Sequence, residues 1–172
     1  PVQAWLRKHS SLAANLERRD DPLAELPMTT HQKYLSGQVV LVGYGRVGRR
    51  IGAALAEHGI PFVVAEHNRE QVEKLRAKGI PAVSGDAAEP AVLVQAHIAR
   101  ARMLVIATPD TPDVRRMAEI ARTLNPEIEV VVRTHSEDEA EMLRKDRIGQ
   151  IFMGEHELAL GMTRHVLERM TA

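Results

Sequence analysis

Between Gln38 and Met153 the chain alternates short runs of Val, Ile, Leu and Ala with longer stretches in which apolar positions recur every three or four residues. Short continuous apolar runs suit strands buried on both faces, and the helical period suits helices laid over them. The first run, Gln38–Val42, passes through a glycine-rich turn into a helix predicted from about Val47 to His58, with Gly59 as its stop. A second strand is predicted at Phe62–Glu66. Asn68 caps the next helix, Gln71 stands at the reciprocal position of a capping box, and Gly79 ends it. The short strand Ala82-Val83-Ser84 leads into Gly85-Asp86-Ala87, and Pro90 lies at the start of the following helix. Strand four, Met103–Ala107, stops at Thr108-Pro109-Asp110, and its helix runs to Asn125-Pro126. Strand five, Glu129–Arg133, precedes a helix over Glu137–Lys145. Ile151-Phe152-Met153 reads as a last short strand and Glu155–Met170 as a last helix. Six βα units with short connections predict an α/β fold: a doubly wound parallel sheet in the order 3-2-1-4-5-6, with helices on both faces.

Residues 1–36 break this rhythm. Trp5, Leu6, Leu12, Ala13 and Leu16 suit one side of a short helix, followed by the charged, proline-broken stretch from Arg19 to Thr30. That composition reads as a linker or as a connector to a neighbouring domain. The α/β unit itself is assigned to residues 37–172. Its later helices carry more apolar residues than one face needs: Met142, Leu143 and Ile148, then Leu158, Leu160, Met162, Val166 and Leu167. Such a surface must be buried, against the sheet edge or against a second copy of the chain. Two-fold pairing is the expectation.

The turn after the first strand is Gly43-Tyr44-Gly45-Arg46-Val47-Gly48, and Glu66 ends the second strand. Strand, glycine turn, helix, second strand and terminal acid in that order form the dinucleotide-binding fingerprint, so the sheet is Rossmann-like. Gly43 makes the sharp turn, Gly45 admits a pyrophosphate to the backbone, and Gly48 lets helix pack on strand. The helix N-terminus then faces the phosphates. Glu66 accepts hydrogen bonds from both ribose hydroxyls and repels a 2′-phosphate, which favours NAD or AMP over NADP, although Arg69 nearby weakens the discrimination. Asp86 either accepts from the adenine amino group, with Ala87 offering backbone, or caps a helix. Arg46 is placed to reach a phosphate, and Ala107-Thr108-Pro109-Asp110 stand beside the phosphates across the switch point.

Composition narrows the function further. The 23 Lys and Arg balance 23 Asp and Glu, so no net field draws the chain to nucleic acid or anionic lipid. The absence of cysteine excludes disulfides, thiolate catalysis and cysteine zinc sites. No apolar run approaches the ~18 residues of a membrane span, and no signal peptide is visible, which gives the expectation of a soluble, cytoplasmic unit. The chain begins at Pro1, as expected of a fragment of something longer. Arg49-Arg50 replace the Lys and Ser/Thr of a P-loop, and Leu160 stands where His156-Glu157 would need a second zinc ligand. Neither Tyr34 nor Tyr44 has a lysine four residues on. The dinucleotide fold also consumes nearly the whole chain and leaves no substrate domain. A nucleotide sensor is expected, not an enzyme.

Val40–Gly48, Glu66-His67-Asn68, Gly85-Asp86-Ala87 and Ala107–Asp110, four motifs in order, resemble the RCK N-terminal or TrkA-N domain of potassium transport proteins, over about residues 38–155. The resemblance is strongest to Kef-type monovalent cation/proton antiporters. It implies a regulatory domain that follows a bundle of membrane helices in a bacterial inner-membrane protein. It further implies that the domain pairs as a homodimer, binds NAD(H) or AMP, and controls ion flux. Residues 1–36 then resemble the connector from the last membrane helix. By the same resemblance the ligand-binding set comprises Gly43, Tyr44, Gly45, Arg46, Val47, Gly48, Glu66, His67, Asn68, Gly85, Asp86, Ala87, Thr108, Pro109 and Arg133, the last as an anion contact. The places comparable to the glutathione-binding basic residues of some Kef proteins hold Ala53 and His135, which argues against glutathione control. The effector and the transported ion stay open. A peripheral subunit of a potassium uptake system and a small NAD-dependent oxidoreductase are the alternatives.

Overall fold

The computed structural model describes residues 21–108 and 113–171. The helix expected around Trp5–Leu16, together with Pro109 and Asp110, lies outside the described residues. Six parallel strands form one sheet in the order β3-β2-β1-β4-β5-β6. The strands are β1 Val39–Val42, β2 Phe62–Glu66, β3 Ala82–Ser84, β4 Met103–Ile106, β5 Glu129–Thr134 and β6 Gln150–Met153. The helices are α1 Arg46–Glu57, α2 Arg69–Ala77, α3 Pro90–Gln95, α4 Val114–Leu124, α5 Glu137–Lys145 and α6 Gly154–Met170.

The apolar runs become central strands because both faces of the sheet are covered. In β1 all four residues are buried. Val40 and Val42 join a cluster under α3, α4 and α5, while Val39 and Leu41 join one under α1 and α2. Leu41, Leu104 and Ile106 are fully buried, each contributing about 1.5–3 kcal/mol relative to exposure. The registers Val39↔Phe62 and Val39↔Met103 place β1 between β2 and β4, which puts the reversal of strand order beside the glycine turn.

Local signals hold the helix ends. Ser136 caps α5 by accepting from the Glu139 N–H; Glu137, Asp138 and Glu139 occupy its first turn, Arg144 and Lys145 its last. Those charges oppose the ends of the helix dipole correctly. Asn68 caps α2, accepting from the Gln71 N–H. The other half of the expected capping box is absent: Gln71 Nε2 donates to the Tyr44 carbonyl at 2.7 Å, and Glu66 accepts the Asn68 N–H at 2.9 Å. A long-range partner outcompetes the local one. Asp86 is not a helix cap either. Glu89 occupies the N-cap position of α3, while Asp86 Oδ1 closes a local turn onto the Ala88 N–H at 2.9 Å.

Two further arrangements could not be read from periodicity. A 3-10 turn at Ile98–Arg100 precedes β4. The side-chain amides of Gln38 and Asn125 hold carbonyls in and around this turn, from Ala96, His97, Ile98 and Ala101. Residues 21–36, part of the expected connector, pack on the domain: Leu23 is buried, and Asp21 forms an ion pair with Arg69.

The sheet is not covered evenly. On the α1/α2 face, Val131 and Arg133 of β5 are half-buried and Phe152 of β6 is exposed. Helix α6 does not close this gap. None of its residues is buried, and Leu158, Leu160, Met162, Val166, Leu167 and Met170 are exposed by between 47% and 78%. Among the described residues these side chains therefore do not cover the sheet edge, whereas Leu143 and Ile148, expected with them as surplus, are buried in the chain's own core.

Candidate nucleotide site

The carboxyl ends of β1, β2, β3, β4 and β5 surround a cleft of about 420 Å³. Its lining includes Gly43, Tyr44, Gly45, Glu66, His67, Gly85, Asp86, Ala87, Thr108 and Arg133. Residues from five separate strand ends, up to 90 positions apart in the expected set, thus meet in one place. Arg46, Val47, Gly48 and Asn68 of that set are not lining residues. Arg46 is exposed in the first turn of α1, Gly48 is buried where α1 meets β1, and Asn68 caps α2.

The three glycines of the turn serve different ends. Gly43 has φ +85°, and a Cβ there would stand 3.2 Å from the Thr108 backbone nitrogen. At Gly48 a Cβ would stand 2.1 Å from the Gly43 carbonyl oxygen, so only glycine lets the helix approach the strand this closely. Gly45 differs. Its φ of −78° suits any residue, and none of the described residues lies within 4 Å of where its Cβ would be. Among the described residues no neighbour crowds that position, which is also the N-cap of α1, so the turn is open toward the cleft.

Glu66 faces this turn across the cleft and is tied to it. Its Oε2 accepts the Tyr44 N–H at 2.7 Å, and its Oε1 accepts the Asn68 N–H at 2.9 Å. Gln71 takes the other end of the same peptide neighbourhood through the Tyr44 carbonyl. The glycine turn is therefore held by β2 and α2 as well as by its own strand. One backbone bond to each carboxylate oxygen leaves lone pairs for a diol, because an ionised carboxylate offers about four acceptor positions. The Tyr44 ring lies over α1 at Gly52, where a Cβ would come within 2.8 Å of it.

Charge in the cleft is arranged asymmetrically. Arg133 reaches in from β5 and donates to the Ala107 carbonyl at 3.3 Å. On the Glu66 side, Arg69 is drawn to Asp21. The cation that sequence spacing set against Glu66 thus already has an acidic partner. Four lining residues were not anticipated: Val42 and Ala65 near the strand ends, and Asp113 and Met117. Met117 shares its helical spacing with the buried Val114, Ala118 and Ala121, which reads as core. Its place at the cleft follows from α4 starting just past the end of β4.

Residues 39–154 match the model of the TrkA-N domain. YbaL of Escherichia coli (strain K12), named as a cation/proton antiporter, is 37% identical over 128 residues, which cover 74% of this chain and 23% of that protein. The crystal structure of its TrkA-N domain aligns with a TM-score of 0.72 at 36% identity, over 75% of this chain and 96% of that one. The GsuK channel bound to NAD aligns with a TM-score of 0.62 at 26% identity, over 81% of this chain and 25% of that one. A Kef C-terminal domain of Shewanella denitrificans in AMP-bound form has a TM-score of 0.66 at 22% identity, over 78% and 82%, a likeness of fold. The chain spans about a quarter of the full length of YbaL. With its glycine turn, Glu66 and the switch-point cleft in the arrangement described, the chain belongs to the TrkA-N domain family.

Proposed function

We propose that this chain is the nucleotide-sensing regulatory domain of a monovalent cation/proton antiporter, that it binds NAD(H) or AMP, and that it catalyses no reaction. The observation that carries the reading is the Gly45 turn. It is open to a ligand, is crowded by no described residue, and is faced by a carboxylate suited to a ribose diol. In this reading Gly43, Tyr44 and Gly45 meet the phosphates together with Thr108, Pro109 and Arg133, while Arg46, Val47 and Gly48 contribute by forming the first turn of α1 behind them. Glu66 and His67 take the ribose, with Asn68 holding the Glu66 carboxylate through its N–H, and Gly85, Asp86 and Ala87 take the adenine. YbaL supplies the antiporter context, and GsuK, in structures bound to NAD and to ADP, the class of ligand. Residues 1–36 serve as the connector to a membrane transport domain of the same parent protein, with this domain on the cytoplasmic side of the inner membrane.

Calorimetry with AMP, NAD, NADH, NADP and ATP tests the assignment. Saturable binding of AMP or NAD is expected, with NADP weaker. A chain that binds none of the five overturns it.

The same reading includes a homodimer. The exposed apolar residues of α6 and the open strip at Val131 and Phe152 are complementary needs: one is an uncovered helix, the other an uncovered sheet face. Two-fold pairing of identical chains satisfies both at once. Light scattering at micromolar concentration is expected to give a mass near twice 19.1 kDa. A chain that stays monomeric with and without nucleotide removes the dimer.

A further inference from the structure

The segment Asp21–Glu25 is fastened to the domain more elaborately than a connector needs. Arg76 of α2 spends its guanidinium on four carbonyls. Nε donates to Ala82 at 2.9 Å and Nη1 to Pro22 at 2.9 Å, while Nη2 donates to Leu23 at 3.2 Å and to Glu25 at 2.6 Å. Charge-assisted donors of this kind form the stronger hydrogen bonds, and Arg presents them in a rigid fork. The Leu23 carbonyl also accepts the Ser84 N–H at 2.7 Å, which occupies a free donor on the outer edge of β3. At the other end, Asp21 Oδ1 accepts the Leu23 N–H at 3.0 Å and Oδ2 pairs with Arg69. That guanidinium holds the Asp21 carboxyl below the usual carboxylate range.

Both anchor points run directly into the cleft. Arg69 is the first residue of α2, immediately after Asn68, whose N–H is bound by Glu66. Ser84 ends β3 and is followed by Gly85, whose N–H donates to the Glu66 carbonyl at 3.1 Å. One short strap therefore ties together the two loops that form the Glu66 wall and the Gly85–Asp86–Ala87 wall.

We propose that Arg76 and Asp21 are positioning residues for the nucleotide site: they set the spacing of these two walls through the strap Asp21–Glu25. The inference rests on the cleft being a nucleotide site. Its physical basis is preorganisation. With the strap seated, the walls stand ready and a ligand spends little on ordering them. With the strap released, β3 becomes a bare three-residue edge strand and the first turn of α2 loses its outer tether. Reciprocity follows by linkage: a ligand that binds the ordered walls better tightens the strap by the same factor. The residues that precede the domain then receive the signal of occupancy at Asp21.

The test uses the whole chain with AMP as the probe. Asp21→Asn keeps an oxygen for the Leu23 N–H and removes the negative charge and the second acceptor oxygen that face Arg69. Arg76→Gln removes the fork. Expected are a weakening of AMP binding by about five-fold or more for Arg76→Gln, the low end of measured couplings, and a smaller loss for Asp21→Asn that Asp21→Glu partly restores. In the unaltered chain AMP should slow hydrogen exchange at the Leu23, Ala24 and Ser84 amides. A purely structural staple would lower the melting temperature and leave exchange at the strap indifferent to AMP. If Arg76→Gln fails to fold, Asp21→Asn and the exchange data decide. AMP binding that is unchanged in the folded variants, with no protection of Ser84, overturns this inference alone. Failure of the unaltered chain to bind any of AMP, NAD, NADH, NADP and ATP overturns the nucleotide reading and this inference with it.

Discussion

A Gly45→Ala chain is expected to lose nucleotide binding while its circular dichroism stays that of the unaltered protein. The backbone at Gly45 already has a φ that alanine accepts, and its Cβ would meet no atom of the described residues. Because Gly45 is the N-cap of α1, exchanging it for alanine costs at most about 1 kcal/mol of stability. The added methyl instead occupies the ground on which a pyrophosphate would rest. Forcing one methyl into a filled contact costs about 1–3 kcal/mol, or roughly five- to 150-fold in affinity. Gly48→Ala is the contrasting control, because its Cβ collides with the Gly43 carbonyl at 2.1 Å and the fold itself should suffer. Calorimetry and thermal melts on the two variants separate the roles. Undiminished AMP affinity in Gly45→Ala would show that no phosphate lies over this turn.

The second large effect is expected at Glu66. NAD should bind at least several-fold more tightly than NADP, and Glu66→Ala should weaken both while narrowing the gap. Loss of a charged hydrogen-bonding partner costs about 1.5–3 kcal/mol, which is roughly ten- to 150-fold. The structure adds a second component to that loss. Without the carboxylate, the N–H groups of Tyr44 and Asn68 lose their acceptor, so the glycine turn loosens together with the ribose contact. The narrowing of the NAD/NADP gap isolates the charge, because turn geometry acts on both ligands alike. Equal affinities for NAD and NADP in the unaltered chain would sink the assignment.

Helix α5 shows how much of the architecture is legible residue by residue. Its cap, acidic first turn and basic last turn all lie within a dozen positions, and the observed Glu137–Lys145 agrees with the expectation to the residue. Strand β2 is as clear, as an apolar run closed by an acid. Gln71 shows the limit. By spacing it belongs to a capping box, but the Tyr44 carbonyl, 27 positions away, is brought within 2.7 Å and takes its amide. Asp86 fails as a cap for a related reason, because the chain makes one more turn before α3 begins at Pro90.

The sequence by itself determined the strand order, the glycine turn and the acid opposite it, because each depends on near neighbours: periodicity, backbone freedom, and the short βα connections that leave few topologies open. Only the tertiary structure decided which side chains those elements would share. It brought Met117 and Asp113 to the cleft, fastened Arg76 to a strap more than 50 positions earlier, gave Arg69 to Asp21, and left α6 uncovered. Such contacts join residues distant in the chain. They are set by where packed elements come to rest, and no local pattern of polar and apolar positions encodes that.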